Sequence, residues 1–483
     1  MLIKKDRDAI KSYFEDSSNL KGGYADSVAF PEDINALSKL IKDANIKRVP
    51  VTVSGGGTGT TGSRIPFGGI VVSLEKFNEV LEISDNKLIA RVEAGCSVEH
   101  FKAECEKRGL FYACHPTERG AFLGGTVATN ASGARSFKYG PTRRYVKHIK
   151  MVLADGQIFE ISRGEKFLTK KDSKIPLPTY KIPDIKNSAG YFIGEGADLI
   201  DLFIGQEGTL SIITEMDLAL LKIPMKILSS FAFFDKNADS WNFASEARRL
   251  SRSQNKAGVD ALSIEYLDEN ALNLLRLRSN SVPSGANAAI FFEQEVTQND
   301  EGRAVDAWLK LISKHNASAD DTWVAMTEEG AEKFNQLRHS IPESVNEIVR
   351  RNGFRKLSTD IAVPEKNFAK MTDFYTATLK KENVGHIIFG HIGECHLHVN
   401  LLPKNDEERE RSEKICLEFA RKGVSLGGTV SAEHGIGKTR HKYLEIMYGR
   451  QGILEMARVK KVFDPNCILG LDNIFPKEVL KEA

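Results

Sequence analysis

The stretch HIIFGHIGECHLHVNLL, from His386 to Leu402, gathers imidazoles at spacings that a strand can use. Successive strand residues alternate faces, so His396, His398 and Asn400 share one face while Leu397 and Val399 take the other. His391 lies seven positions before His398 and would fall on the opposite face of one unbroken strand. The intervening Ile392-Gly393-Glu394-Cys395 reads as a hairpin turn, and folding back there lets His391 join the histidine face. Three imidazoles with Asn400 suit a metal or a substrate carboxylate better than an apolar core. An ordinary half-exposed strand is the alternative.

A second stretch, GGTVSAEHGIGKTR from Gly427 to Arg440, sets a carboxylate beside an imidazole. Glu433 offers a hard oxygen ligand or a base, and His434 is of the type that exchanges a proton near neutral pH. Adjacent side chains diverge, so a Glu433 turned to a metal leaves His434 facing something else, for which a substrate is the natural candidate. A glycine turn at a helix end is the alternative. The GKT tail is no Walker loop, because Ala432 stands where its first glycine would be.

The third stretch, VTVSGGGTGTTGSRIP from Val51 to Pro66, contains GxGxxG at Gly57, Gly59 and Gly62, with Asp85 about twenty residues on. A dinucleotide fingerprint needs a helix to start at the third glycine. Here Pro66 and Gly68-Gly69 break a helix, and Ile70 to Leu74 reads as another strand. What remains is a glycine-rich loop between strands. Its bare backbone N–H groups can form a nest around a pyrophosphate, and a plain turn is the alternative.

The elements that must hold these residues alternate in type. Pro31 to Ala44 has helical periodicity, Val49 to Val53 reads as a strand, and glycine-rich connections recur at Gly124-Gly125, Gly133, Gly140 and Gly208. Beyond about residue 220 the strand Ile227 to Phe234 precedes the helix Ala238 to Leu250, and Lys438 to Lys460 is again helical. With 483 residues and 41% hydrophobic content the chain can bury more than one core. Its 67 basic and 65 acidic residues nearly cancel, so nothing electrostatic favours nucleic acid. MLIKKDRDAI lacks a signal peptide's apolar region, and six cysteines without a CxxC pair indicate neither a cluster nor a cysteine zinc site. These features lead to the expectation of a cytoplasmic protein, with peripheral membrane attachment held open.

Taken together, the motifs resemble the FAD-linked oxidases of the vanillyl-alcohol oxidase type, in the group of D-lactate dehydrogenase, D-2-hydroxyglutarate dehydrogenase and the glycolate oxidase subunit. GGGTGTTG (Gly55 to Gly62) is similar to that family's first flavin loop, HPTERGAFLGGTVATNASGARSFKYGPTR (His115 to Arg143) to its second flavin segment, and GQEGTLSIITE (Gly205 to Glu215) to its third. GHIGECHLHVN and SAEHGIGK resemble its two C-terminal signatures.

The resemblance implies an α+β fold: a two-subdomain FAD-binding domain over residues 1–220, a substrate domain with an antiparallel sheet flanked by helices over 221–425, and a segment, 426–483, returning to the FAD domain. It implies flavin contacts from Gly55, Gly56, Gly57, Thr58, Gly59, Thr60, Gly62, Pro116, Thr117, Gly124, Gly125, Thr129, Asn130, Gly133, Tyr139, Gly140, Glu207, Gly208, Ile213 and Asn473. His391, His398 and Glu433 would bind a divalent metal, zinc or manganese. His434 would be the base, Asn400 would lie near the substrate, and Arg338 would clamp the substrate carboxylate, a task suited to a planar guanidinium.

The expected reaction is oxidation of a D-2-hydroxy acid to the 2-oxo acid. D-lactate leads, D-2-hydroxyglutarate and glycolate are alternatives, and a quinone, a cytochrome or an electron-transfer flavoprotein would reoxidise the flavin. The first loop has no histidine for covalent attachment, so noncovalent FAD is expected. A homodimer is held open. An ether-lipid synthase would favour a histidine cluster where this chain has Ser431-Ala432-Glu433-His434, and a noncatalytic subunit would have lost the signatures. The chain departs from the common GHxGDGNLHxN at Glu394, Cys395 and His396, and from NPGK at Gly470-Leu471-Asp472-Asn473. His396 therefore enters as an added ligand or a determinant of substrate choice.

Overall fold

The computed structural model describes residues 1–114, 118–165, 175–254, 257–355 and 357–483. Two compact units emerge: Met1–Gly133, Pro141–Ile223 and Ser431–Ala483 form the first, and Ala134–Gly140 with Pro224–Val430 form the second.

The first unit contains a mixed sheet and an antiparallel one. In the mixed sheet Ser27–Phe30 and Val51–Ser54 flank Ile70–Ser73 in parallel, and Leu2–Lys4 adds an antiparallel edge. All four residues of Ser27–Phe30 are buried, as expected of a strand covered on both faces. The helix Ile34–Lys47 starts later than its periodicity suggests because Asp33 caps it, accepting from the Ala36 N–H at 2.8 Å. Its buried stripe is Leu37, Leu40, Ile41 and Ala44. Between Val51–Ser54 and Ile70–Ser73 no helix intervenes, and the glycine-rich segment runs as a loop. The five-stranded antiparallel sheet has Ser211–Ala219 at its centre, between Ile89–Glu93 and Val146–Leu153. The C-terminal helix His441–Phe463 is interrupted at Gly449, whose φ of 66° and ψ of 172° are not helical.

The second unit is built on one antiparallel sheet. Its order is Trp323–Ala325, Lys226–Phe234, Ala288–Val296, Ala261–Asp268, His386–Gly390, His396–Leu401 and Leu357–Ser358, with Ile361–Ala362 also paired to His396–Leu401. Alternation sorts the side chains onto two faces. Phe292 stacks on Trp308 at 3.9 Å and meets Phe243, so helices Asn237–Arg252 and Glu301–Lys314 cover one face. Phe231, Leu267 and Phe291 pack with Ile341 and Val345, so helix Glu328–Asn352 covers the other.

That second face changes character along the strand Ala261–Asp268. Leu267 lies in the core, but Glu265 and Ser263, two and four residues earlier on the same face, are buried polar groups. Buried charges require partners, and this polar end of the sheet is where the histidines gather.

Candidate active site

The first unit encloses a cleft lined by Gly55, Gly56, Gly57, Thr58, Gly59, Thr60, Gly124, Gly125, Thr129, Glu207, Gly208 and Ile213, and also by Glu433 and His434. Three sequence segments far apart in the chain thus meet around one space. At Gly59 and Gly125 an added Cβ would meet nothing within 4 Å among the described residues, so their bare backbones face open cleft. Glycine walls of this kind allow close approach of a phosphate-bearing cofactor. The donor set and the open glycine wall fit FAD.

The remaining sequence-derived flavin residues lie elsewhere. Gly62 packs so that a Cβ would stand 2.9 Å from Leu20. Asn130 is a buried brace: its Oδ1 accepts from Arg143 N–H at 3.1 Å and its Nδ2 donates to the Asn187 carbonyl at 3.3 Å. Gly133 ends its stretch of the first unit, whereas Tyr139 and Gly140 belong to the second. The Tyr139 hydroxyl donates to Glu295, and Gly140 closes the short helix Ser136–Tyr139. Asn473 does not line the cleft but donates to the carbonyls of Ser63 at 3.1 Å and Glu207 at 2.8 Å, tying the glycine loop to the third segment. Pro116 and Thr117 lie outside the described residues.

Glu207 anchors the cleft floor. Its buried carboxylate accepts from Ser63 Oγ at 2.6 Å and from the backbone N–H groups of Ile436 and Gly437 at 2.7 and 2.8 Å. Burial pushes its carboxyl above the ordinary range, against the pull of these donors. Gly437 has φ +52°, and a Cβ there would stand 2.2 Å from the Thr61 carbonyl, so the sharp passage after His434 requires glycine. Lys438 follows, donating to the Ser63 carbonyl at 3.2 Å and Asn473 Oδ1 at 2.5 Å, and burial lowers its ammonium to about 8.

Those contacts hold the Glu433-His434 pair at the cleft wall. Lys186 Nζ lies 2.9 Å from Glu433 Oε2, with the two side chains only 3% and 10% exposed, and Ser132 Oγ donates to the same oxygen at 3.3 Å. His434 Nε2 stands 3.6 Å from Glu433 Oε1, and its side chain is 30% exposed. An imidazole at the surface of a cleft, beside a fixed carboxylate, can exchange a proton with a bound molecule.

The second unit carries the histidine cluster. Strands His386–Gly390 and His396–Leu401 form a hairpin, and a single 3₁₀ turn at Ile392–Glu394 joins them. Ring centroids of His391, His396 and His398 lie 4.5 to 5.6 Å apart, and each offers a ring nitrogen within 4.8 Å of the others. The fully buried Arg248 secures the turn by donating to the carbonyls of Gly393 at 3.1 Å and Ile392 at 3.0 Å, while pairing with Glu365. Cys395 ends the turn at φ 54°, the left-handed region where the common motif has glycine. Burial pushes its thiol up to about 11, so it stays protonated near neutral pH.

An oxygen atom faces one nitrogen of each ring. Glu265 Oε1 lies 2.8 Å from His391 Nδ1, the Thr359 carbonyl 3.2 Å from His398 Nδ1, and Asp360 Oδ1 3.0 Å from His396 Nε2. Arg338 approaches the same Glu265 at 3.7 Å and contacts His339 at 2.6 Å. Asn400 shares the histidine face, but its amide donates to the carbonyls of Ile387 and His398, both at 3.2 Å. Arg135 forms a forked pair with buried Glu293 at 2.8 and 3.0 Å.

Sequence reasoning did not single out Lys186, Arg135, Arg248, Glu265 or Asp360. Arg135 falls within the second flavin segment, and the others stand in stretches without a motif; each is far in sequence from its partner, and only pairing in the folded interior distinguishes it from a surface charge.

Residues 25–162 match the family described as FAD binding domain, and residues 239–471 match FAD linked oxidases, C-terminal domain. The glycolate oxidase subunit GlcD of Bacillus subtilis is 29% identical over 463 residues, covering 95% of this chain and 90% of that protein. D-lactate dehydrogenase of Archaeoglobus fulgidus is 29% identical over 458 residues, covering 93% and 91%. D-2-hydroxyglutarate dehydrogenase of Stutzerimonas stutzeri is 26% identical, covering 98% and 96%. Among solved structures, 4-ethylphenol oxidase from Gulosibacter chungangensis superposes with a TM-score of 0.72 over 99% of this chain and 95% of that one, at 15% identity, a likeness of fold. With both domains matched in order and a glycine-walled cleft where the first of them lies, the chain belongs to the FAD-linked oxidases, a family of flavin-dependent oxidoreductases.

Proposed function

We propose that the protein oxidises a D-2-hydroxy acid to the corresponding 2-oxo acid, with D-lactate as the first candidate and D-2-hydroxyglutarate and glycolate as alternatives. Relatives named for these substrates align over nearly the whole chain. The observation that carries the reading is the position of His434, part-exposed on the wall of the same cleft that the flavin-loop glycines line. Noncovalently bound FAD supplies a two-electron acceptor for the substrate's C2 hydrogen.

The chain's own residues would do the rest. His434 takes the proton from the substrate hydroxyl as the C2 hydrogen leaves. Glu433, held by Lys186 and Ser132, fixes the backbone from which His434 projects and supplies the carboxylate expected for a divalent metal, zinc or manganese. His391 and His398 are its imidazole ligands, each oriented through Nδ1. Arg338 binds the substrate carboxylate, for which Glu265 now holds its guanidinium in place. Reoxidation calls for a separate acceptor: a quinone, a cytochrome or an electron-transfer flavoprotein. No helix among the described residues is long and apolar enough to cross a membrane.

His434→Ala tests the reading. Flavin reduction by a saturating D-2-hydroxy acid should slow by roughly a hundredfold or more, the scale of losing a positioned base, with FAD content unchanged. An unaltered reduction rate in that variant would remove His434 from the mechanism.

A further inference from the structure

We infer that His396 is a third imidazole ligand of the divalent metal, so that His391, His396 and His398 form a nitrogen-rich set within the second unit. This inference rests on the metal reading proposed above and goes beyond it in the ligand count. The common form of the motif has asparagine at this position, so the added imidazole belongs to this chain rather than to the family pattern.

Geometry supports it first. The His396 and His398 rings are 4.5 Å apart, those of His391 and His396 5.4 Å, and one nitrogen of each of the three lies within 4.8 Å of the others, a spread that one ion at about 2 Å from each can bridge. Alternation in the strand His396–Leu401 puts His396 and His398 on one face, and the turn held by Arg248 brings His391 to it.

The second observation is the matching set of oxygen partners. The Thr359 carbonyl can only accept, so His398 Nδ1 must donate, and the ligand lone pair falls on Nε2. Glu265 imposes the same tautomer on His391. At His396 the oxygen is a carboxylate: Asp360 Oδ1 stands 3.0 Å from Nε2, at ion-pair distance. All three rings thus have one nitrogen beside an oxygen, and at His391 and His398 the hydrogen bond leaves the other nitrogen electron-rich, the pattern by which carboxylates and carbonyls orient metal-binding histidines.

Burial is the third. His396 and Asp360 are both 0% exposed, and a carboxylate is costly to enclose without strong compensation. A divalent ion on the far side of the imidazole provides it. Three imidazoles also shift preference toward zinc, cobalt or nickel and away from manganese, which favours oxygen donors.

The test uses the full-length flavoprotein, stripped of metal and reloaded with one equivalent of zinc. X-ray absorption at the zinc edge should count three imidazoles in the wild type and two in His396→Asn. Chelator competition should show zinc held ten- to a hundredfold more weakly by His396→Asn, and about tenfold more weakly by Asp360→Asn, the range for lost outer partners. The flavin spectrum reports folding, and if His396→Asn does not fold the wild-type count decides alone. Two imidazoles in the wild type, with His391→Ala abolishing binding, would overturn the role of His396 and leave the metal reading standing. A wild type that takes up no zinc would overturn both.

Discussion

At the scale of single residues, the chemistry depends on charges that the fold has removed from water. Lys186 and Glu433 are the clearest case, an ion pair 2.9 Å long between side chains 3% and 10% exposed. Removing one partner of such a pair leaves the other charge buried, at a cost of about 3–5 kcal/mol. Lys186→Met should therefore lower the unfolding free energy by about that much in urea titration, while Lys186→Arg keeps the charge and loses less. Equal stability of Lys186→Met and wild type would show that Glu433 needs no cation there. Gly125 carries the opposite message, since it faces space rather than a neighbour. Gly125→Leu should leave the fold intact, because leucine suits the helix Leu123–Ala128, yet weaken FAD binding at least tenfold, to be read by fluorescence titration of the apoprotein. Unchanged FAD affinity would place the cofactor elsewhere.

At the scale of elements, the histidine hairpin was legible in advance and its supports were not. The two-residue period of His396, His398 and Asn400 shows in the sequence, as does the need for a turn that brings His391 back. Neither Arg248, reaching the turn from the helix Asn237–Arg252, nor Glu265, reaching His391 from the adjacent strand, leaves a local trace, since long-range pairing has no periodicity. Likewise the glycine loop was legible as a non-Rossmann loop, but Asn473, Lys438 and Glu207 could be matched to motifs without revealing that they bind one another. The dual accounting at Asn400 is similar: its face follows from alternation, its attachment to strand carbonyls does not. Arg248→Ala should orphan two carbonyls and cost on the order of 3 kcal/mol, visible as a lowered Tm. Asp268 gives a pH-dependent prediction, because it caps the helix Glu269–Arg276 through Ala271 N–H and also accepts from Ile388 N–H in the hairpin strand. Burial raises its carboxyl to about 7. The unfolded chain has then released this proton by about pH 5 while the folded chain retains it, so this residue's contribution to stability falls as pH rises from about 4 to 7. Asp268→Asn should remove that slope in unfolding free energies measured across the window. A variant with the wild-type slope would assign the titration to another group.

At the scale of the whole molecule, the chain divides its tasks between two units. The first carries the glycine-walled cleft with Glu433 and His434, and the second carries the sheet whose polar end gathers His391, His396 and His398, with Arg338 reaching Glu265 from the helix Glu328–Asn352. The most direct test is to mix the purified holoprotein anaerobically with D-lactate, D-2-hydroxyglutarate, glycolate and L-lactate and to follow the flavin absorbance in a stopped-flow instrument. The account predicts rapid bleaching by at least one of the first three and none by L-lactate. A flavin that stays oxidised with all four, yet is reduced by dithionite, would contradict it.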